Sequence, residues 1–256
     1  MKITGYRTLS TFHAWGRAIG DVNGAIESAV TEVPIVIIET DAGIEGVGLG
    51  APADPDRLFP ATEGGDPRAV SALFDRMVAR VFKSGHAGAT YGGLATLDAA
   101  LWDIKAKAAG EPLWRLLGGR DRYVPGYASG LDIALNADEL HEFYRAMAER
   151  GYVAGKLKGG LDLQADLERL GVIADALRVN TDAPGLMIDA NESWQVKQAV
   201  RYISAIEERF DVLWVEEPLR RWDAVGHARL SAAVRSAVAT GENLTGIDQF
   251  RPLFDA

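Results

Sequence analysis

An N-terminal α+β domain followed by a parallel (β/α) array of the barrel type is the fold class that the sequence predicts, and three observations predict it. From about residue 124 onward, apolar strand-like runs alternate strictly with amphipathic stretches, the order that produces a parallel sheet covered by helices. No Gly-x-Gly-x-x-Gly opens the first of these units, which disfavours a dinucleotide-binding sheet and favours a barrel. Polar residues then close successive strands at a near-constant spacing. Lys158, Asp189, Glu216 and Glu242 follow one another at steps of 31, 27 and 26 residues (158 to 189, 189 to 216, 216 to 242), close to the roughly 30 residues that one strand plus one helix occupies in a (β/α)₈ barrel.

The elements follow in order. Residues 2–7, 33–40 and 46–50 read as strands, with Asp41-Ala42-Gly43 as hairpin chemistry between the last two because glycine accepts a positive φ at little cost. Residues 13–24, with His13, Trp15, Arg17, Asp21 and Asn23, read as an irregular functional loop. Gly46, Gly48 and Gly50 lack the continuation and helix start of a phosphate loop and read as strand-end glycines. Helices are expected over 67–82 and 91–109. In the second, Leu94, Leu97, Leu101, Ile104 and Ala108 recur at three- and four-residue steps, and Gly110 supplies a left-handed stop. A short helix over 112–117 ends in Gly118-Gly119. Strands then fall at 124–128, 153–158, 186–189, 212–216 and 237–241, with helices at 137–150, 163–178, 196–209 and 223–234. The domain boundary is expected between a first domain, 1–122, and a second, 123–256.

Composition narrows the function classes. The 256 residues carry a formal charge of -9 with a pI near 5.0, and no dense Lys/Arg footprint of the kind that a nucleic-acid partner demands. The chain has no cysteine, which excludes disulfides, thiolate catalysis and Cys-ligated zinc and fits a cytoplasmic setting. The first residues are too polar for a signal segment. The longest strongly apolar run, 33–38, is far short of the ~20 residues that span a bilayer, so no membrane partner is expected.

The chemistry sits at the strand ends. Lys156 and Lys158 are two apart on one strand, so their side chains leave the same face. Two ammonium groups held close repel each other, which is expected to lower the pKa of at least one and free an amine as a general base. Asp189, Glu216 and Glu242 close three successive strands and can converge. Three carboxylates in a small space require a cation, and an all-oxygen donor set selects Mg²⁺ over zinc. Such an ion would stabilise the enolate formed when a base removes the proton α to a carboxylate. Asn191, two after Asp189, is placed to hydrogen-bond a substrate oxygen. Glu217 and Pro218 read as a local ion pair and a turn, and His227 as a structural residue of its helix.

Taken together, Ala99-Ala100-Leu101-Trp102-Asp103-Ile104-Lys105, the Pro112-Leu113…Leu116-Leu117-Gly118-Gly119 ending, Lys-x-Lys, Asp-x-Asn, Glu-Glu-Pro and Gly-Glu on successive strands resemble the enolase superfamily, specifically its mandelate racemase-like subgroup. The resemblance implies an N-terminal α+β capping domain and a TIM-like barrel. It implies Lys158 as the acid/base, Lys156 as its electrostatic partner, Asp189, Glu216 and Glu242 as Mg²⁺ ligands, and Asn191, His13 and Trp15 as substrate contacts. The 13–24 loop would descend over the barrel mouth. Racemase-like members carry an Asp and a His on further strands as a second acid/base. The sequence stops at Ala256, so the barrel is expected to be incomplete, with about five strands present and on the order of 90 to 100 residues lacking.

The implied activity is removal of the α-proton of a small-molecule carboxylate, foremost dehydration of a sugar acid. Racemisation, epimerisation or cycloisomerisation is the alternative, and a non-catalytic metal-binding fragment the reading from another class. A homo-oligomer is the expected assembly.

Overall fold

The computed structural model describes residues 1–50, 55–84 and 87–256. In chain order the strands are β1 (Ile3–Ala14), β2 (Ile19–Asp21), β3 (Gly24–Ile26), β4 (Val30–Thr40), β5 (Gly46–Leu49), β6 (Ala128–Ser129), β7 (Ala154–Lys158), β8 (Gly185–Asp189), β9 (Val212–Glu216) and β10 (Ala237–Ala239). The helices are α1 (Pro55–Leu58), α2 (Val70–Val81), α3 (Gly88–Ala109), α4 (Leu113–Leu116), α5 (Ala137–Glu149), α6 (Leu163–Leu177), α7 (Val196–Glu207), α8 (Ala224–Ala233) and α9 (Ile247–Asp255). Contacts divide the chain into two units. Met1–Ala14, Val30–Val124 and Thr245–Gln249 form one, and Trp15–Ala29, Pro125–Leu244 and Phe250–Ala256 form the other.

The first unit holds an antiparallel sheet in the order β1-β4-β5. Its core joins Ile3, Val36 and Ile38 of the sheet to Leu73 and Met77 of α2 and Leu94, Leu97, Leu101 and Ile104 of α3. Burying each such side chain fully is worth about 1.5–3 kcal/mol. Ala108 is exposed, and Ala100 and Ala106 complete the buried stripe instead. Gly110 caps α3 in the left-handed region at φ 69°, and its N–H donates to the Ala106 carbonyl. Gly46 opens β5, and both Gly46 and Gly48 also serve helix packing. A Cβ at Gly46 would stand 2.1 Å from the Ala100 carbonyl oxygen, and one at Gly48 1.9 Å from that of Thr96, so α3 lies directly on the backbone of β5.

The second unit is a parallel five-stranded sheet in the order β10-β9-β8-β7-β6 with helices between successive strands. Its helices start where their caps dictate. Asn136 and Glu139 form a reciprocal capping box at α5, while Asp162 and Asp223 accept backbone N–H groups at the starts of α6 and α8. Leu140, Tyr144, Leu157, Leu170, Ile173, Ile188, Ile203 and Val215, all fully buried, form the centre of its core. Gly155 makes room in it, since a Cβ there would meet the Tyr144 ring at 2.6 Å.

Two expected elements differ. The first barrel-type strand is only Ala128–Ser129, four residues later than its apolar onset suggests, because 124–127 is exposed and joins no strand. Residues 13–24 are not an irregular loop. β1 runs on to Ala14 in register with β4, and β2 and β3 form a small antiparallel hairpin belonging to the second unit. Among the described residues, no helix is long and apolar enough to cross a membrane.

Candidate active site

Parallel pairing places the polar strand ends side by side. Lys158 lies opposite Asp189, Asp189 opposite Glu216, and Glu216 opposite Ala239, so one row crosses four neighbouring strands. The register also puts Lys156 beside Met187 and Met187 beside Trp214, one pleat back on the same face. Gly155 and Leu157 point the other way, into the helices.

The row is densely bonded. Lys158 Nζ donates to Asp189 Oδ2 at 2.6 Å and to Asn191 Oδ1 at 3.1 Å. Lys156 Nζ donates to Glu216 Oε1 at 2.7 Å and lies 3.3 Å from Asp189 Oδ2. Trp214 Nε1 holds the other Glu216 oxygen at 3.0 Å. Both lysines are 5% exposed and Asp189 is fully buried.

Two opposing influences act on Lys156. Burial by itself lowers its pKa, but the hydrogen bond to Glu216 and the charges of Asp189 and Glu216 outweigh burial, and the net direction is upward. The nearer charges are carboxylates, not the second ammonium.

Asp189, Glu216 and Glu242 each offer one carboxylate oxygen within 4.8 Å of the others, graded from buried to exposed. The donor set is all oxygen, with Asp189 and Glu216 closing β8 and β9 and Glu242 three residues past β10, which ends at Ala239 and not at the expected 241, and it fits a hard divalent cation such as Mg²⁺. The residues present therefore suit the ion that the resemblance implies.

Around this triad lie residues whose roles are hidden in the linear sequence. Glu217 is not a surface ion pair. It is 1% exposed, with Oε1 accepting from Asn243 Nδ2 at 2.9 Å and Oε2 from Asn191 Nδ2 at 3.4 Å. Burial pushes its pKa up, against the bond from Asn243. Asn191, Glu192 and Glu217 all take positive φ (43°, 62° and 42°), so the chain bends sharply just past the strand ends. Glu192 is buried and held by Arg221.

Asp132, also fully buried, accepts from the Lys158 backbone N–H at 3.0 Å, the Tyr144 hydroxyl at 2.8 Å and Arg169 at 3.2 Å. Burial raises its pKa, with Tyr144 and Arg169 opposing. Asp132 follows the end of β6, where the strand-end rule points. Placing that strand too early in the sequence is what conceals it.

Asn23 Nδ2 donates to the Asn191 carbonyl at 3.2 Å, and Gly20 N–H to that of Leu131, so the β2–β3 hairpin is tied to segments on both sides of Lys158. His13 is an exposed residue of β1 paired with Thr31 in the first unit. Trp15 opens the hairpin segment, its N–H bonded to the Ala29 carbonyl. His227 is buried on α8, its Nδ1 against the Asp223 carbonyl at 2.9 Å.

Comparison with known proteins gives the same picture of the chain. Residues 23–118 match the family described as Mandelate racemase / muconate lactonizing enzyme, N-terminal domain, and residues 139–256 match Enolase C-terminal domain-like. The L-talarate/galactarate dehydratase of Salmonella typhimurium is 33% identical over 240 residues, covering 89% of this chain and 59% of that protein. A racemase from Streptomyces coelicolor, solved with bound magnesium, superposes with a TM-score of 0.90 at 31% identity over 99% of this chain and 72% of its own. An L-talarate dehydratase from Polaromonas sp., solved with Mg and L-glucarate, does so with a TM-score of 0.84 at 30% identity over 99% and 71%. The chain thus spans 59% of the length of the curated dehydratase that it matches.

Proposed function

Because the chain belongs to the mandelate racemase / muconate lactonizing enzyme family of the enolase superfamily, we propose that its site removes the proton α to the carboxylate of a sugar acid and, in the foremost reading, expels the β-hydroxyl as water. The observation that carries this reading is the row Lys158–Asp189–Glu216, with Glu242 brought within 4.8 Å of both acids.

In this reading Asp189, Glu216 and Glu242 hold one Mg²⁺. The ion would supply positive charge to the developing enolate and would compete with the lysines for carboxylate oxygen. Lys158 is the base. Its Nζ is aimed by two acceptors, Asp189 Oδ2 and Asn191 Oδ1, and its backbone N–H is fixed by Asp132. A base held from both ends loses little entropy on reaching the transition state. Lys156 keeps a positive charge beside the substrate carboxylate, consistent with its upward-shifted pKa. Asn191 accepts from Lys158 through Oδ1 and donates one Nδ2 hydrogen to Glu217, which leaves the second Nδ2 hydrogen for a substrate oxygen. His13 and Trp15 take their assignment as substrate contacts from the family resemblance alone. The similarity to a sugar-diacid dehydratase supports an aldonate or aldarate as substrate.

The similarity to a racemase favours a second reading in which the proton returns to carbon without loss of water. Incubation with Mg²⁺ in D₂O and a panel of aldonic and aldaric acids tests both. Exchange of the α-proton supports the site, and a 2-keto-3-deoxy product then distinguishes dehydration from racemisation. Exchange that survives Lys158→Ala would reassign the base, and absence of exchange with every acid would count against the reading.

A further inference from the structure

We propose that Arg221, clamped on Glu192, is a positioning residue that sets the spacing of the three metal-ligand loops and so tunes the cation affinity of the triad; this rests on reading Asp189, Glu216 and Glu242 as a Mg²⁺ site. One guanidinium, carried on the loop after β9, bonds to the other two ligand loops. Arg221 follows Glu216 on the loop after β9. Its Nε and Nη2 donate to the two oxygens of Glu192 at 2.6 and 3.2 Å, on the loop after β8 that begins at Asp189. Its Nη1 donates to the carbonyl of Asn243 at 3.2 Å, the residue beside Glu242 on the loop after β10.

The Glu192 end of the clamp is built, not incidental. Its side chain is 3% exposed, and its backbone N–H donates to the Glu217 carbonyl at 2.6 Å. Its φ of 62° is a conformation that a glutamate adopts only when its surroundings hold it. Arg220 reaches the same carboxylate only at 3.8 Å with a half-exposed side chain, so the planar two-point contact is specific to Arg221. Residues that orient metal ligands from behind commonly change metal affinity 10–100-fold when altered. A planar fork is something that an ammonium group cannot reproduce.

Electrostatics and positioning predict opposite signs. Arg221 is a cation near a cation site, so its charge alone opposes Mg²⁺. Arg221→Gln should then tighten binding if charge is all that matters and weaken it if the clamp matters. Arg221→Lys keeps the charge and loses the fork.

The test is calorimetric titration of Mg²⁺ into the full chain, with Mn²⁺ as a paramagnetic probe of the site's symmetry. Asp189→Asn serves as reference. The expected result is binding by the wild type, loss in Asp189→Asn, a roughly 10-fold or greater weakening in both Arg221 variants, and an altered Mn²⁺ spectrum. Glu192→Gln reads the same clamp from its other end, so the test stands if either substitution folds. Wild-type affinity in whichever of Arg221→Lys and Glu192→Gln folds, or tighter binding in Arg221→Gln, together with loss in Asp189→Asn, would overturn the clamp and leave the triad standing. Undiminished binding in Asp189→Asn would overturn both.

Discussion

Lys158 and Asp189 face each other in register across β7 and β8, and Lys158 Nζ reaches Asp189 Oδ2 at 2.6 Å in a site that leaves the lysine 5% exposed and the aspartate none. The pair puts a potential base against a potential metal ligand, so whatever engages Asp189 also changes the environment of the amine. Lys158→Met, which keeps the stem and removes the amine, is expected to lower α-proton exchange by on the order of 10²–10⁴-fold, the usual contribution of a positioned general base. Proton NMR of the acid in D₂O measures it. Exchange within a few-fold of wild type would move the base elsewhere.

Tyr144 links the helix layer to both lysines. Its hydroxyl sits 2.8 Å from Asp132 Oδ2 and 2.6 Å from the Lys156 carbonyl, and Asp132 in turn fixes the Lys158 N–H. Tyr144→Phe removes the single hydroxyl hydrogen that these two buried acceptors share. The expected cost is about 1–3 kcal/mol in urea unfolding. A loss below the error of that measurement would mean that Arg169 and the backbone satisfy Asp132 by themselves.

The chain's legibility divides along physical lines. Lys156, Lys158, Asp189 and Glu216 stand out in the sequence because each is a charge at the end of an apolar strand, and the pleat then decides which face it takes. Strand order and helix order follow from the same alternation. Glu192, Glu217, Arg221 and Asn243 are invisible to that logic. Each lies past a strand end, and its role comes from contact with a different loop, which no local pattern encodes. The β2–β3 hairpin hides for another reason. Its strands are three residues long and show no alternation, and its two turn residues, Val22-Asn23, are not a recognised hairpin dipeptide. Gly46 and Gly48 are visible as glycines, but the helix pressed on them is not.

Those two glycines carry a steric prediction. At Gly48 an added methyl would stand 1.9 Å from the Thr96 carbonyl oxygen, and the clash is with helix backbone, not with a side chain that can rotate away. Gly48→Ala must therefore push α3 off β5. The expected destabilisation is about 1–3 kcal/mol or more, measured by thermal unfolding. Gly43→Ala makes a useful contrast. Nothing lies within 4 Å of its Cβ, and only its φ of 72° is strained, so its cost should be near 1 kcal/mol. A Gly48 variant no worse than the Gly43 variant would argue against close helix-on-strand packing.

Asp166 gives the fold a pH dependence of definite sign. Burial raises its pKa from 3.8 to about 6, opposed by the Gly160 N–H bonded to Oδ2 at 2.6 Å and by Arg169, and reinforced by the charges of Asp162 and Asp132. The folded state therefore holds this proton more tightly than the unfolded chain does. The stability so gained is fully present below pH 3.8 and is lost as pH rises through about 6. One pKa unit corresponds to 1.36 kcal/mol, so the swing is at most about 3 kcal/mol. Asp166→Asn keeps an oxygen that can accept from Gly160 and removes the titration. Urea unfolding at pH 4 and pH 7.5 should show the wild type losing up to that amount relative to the variant as pH rises. Identical pH profiles for the two proteins would mean that the carboxylate is as well solvated or paired folded as unfolded.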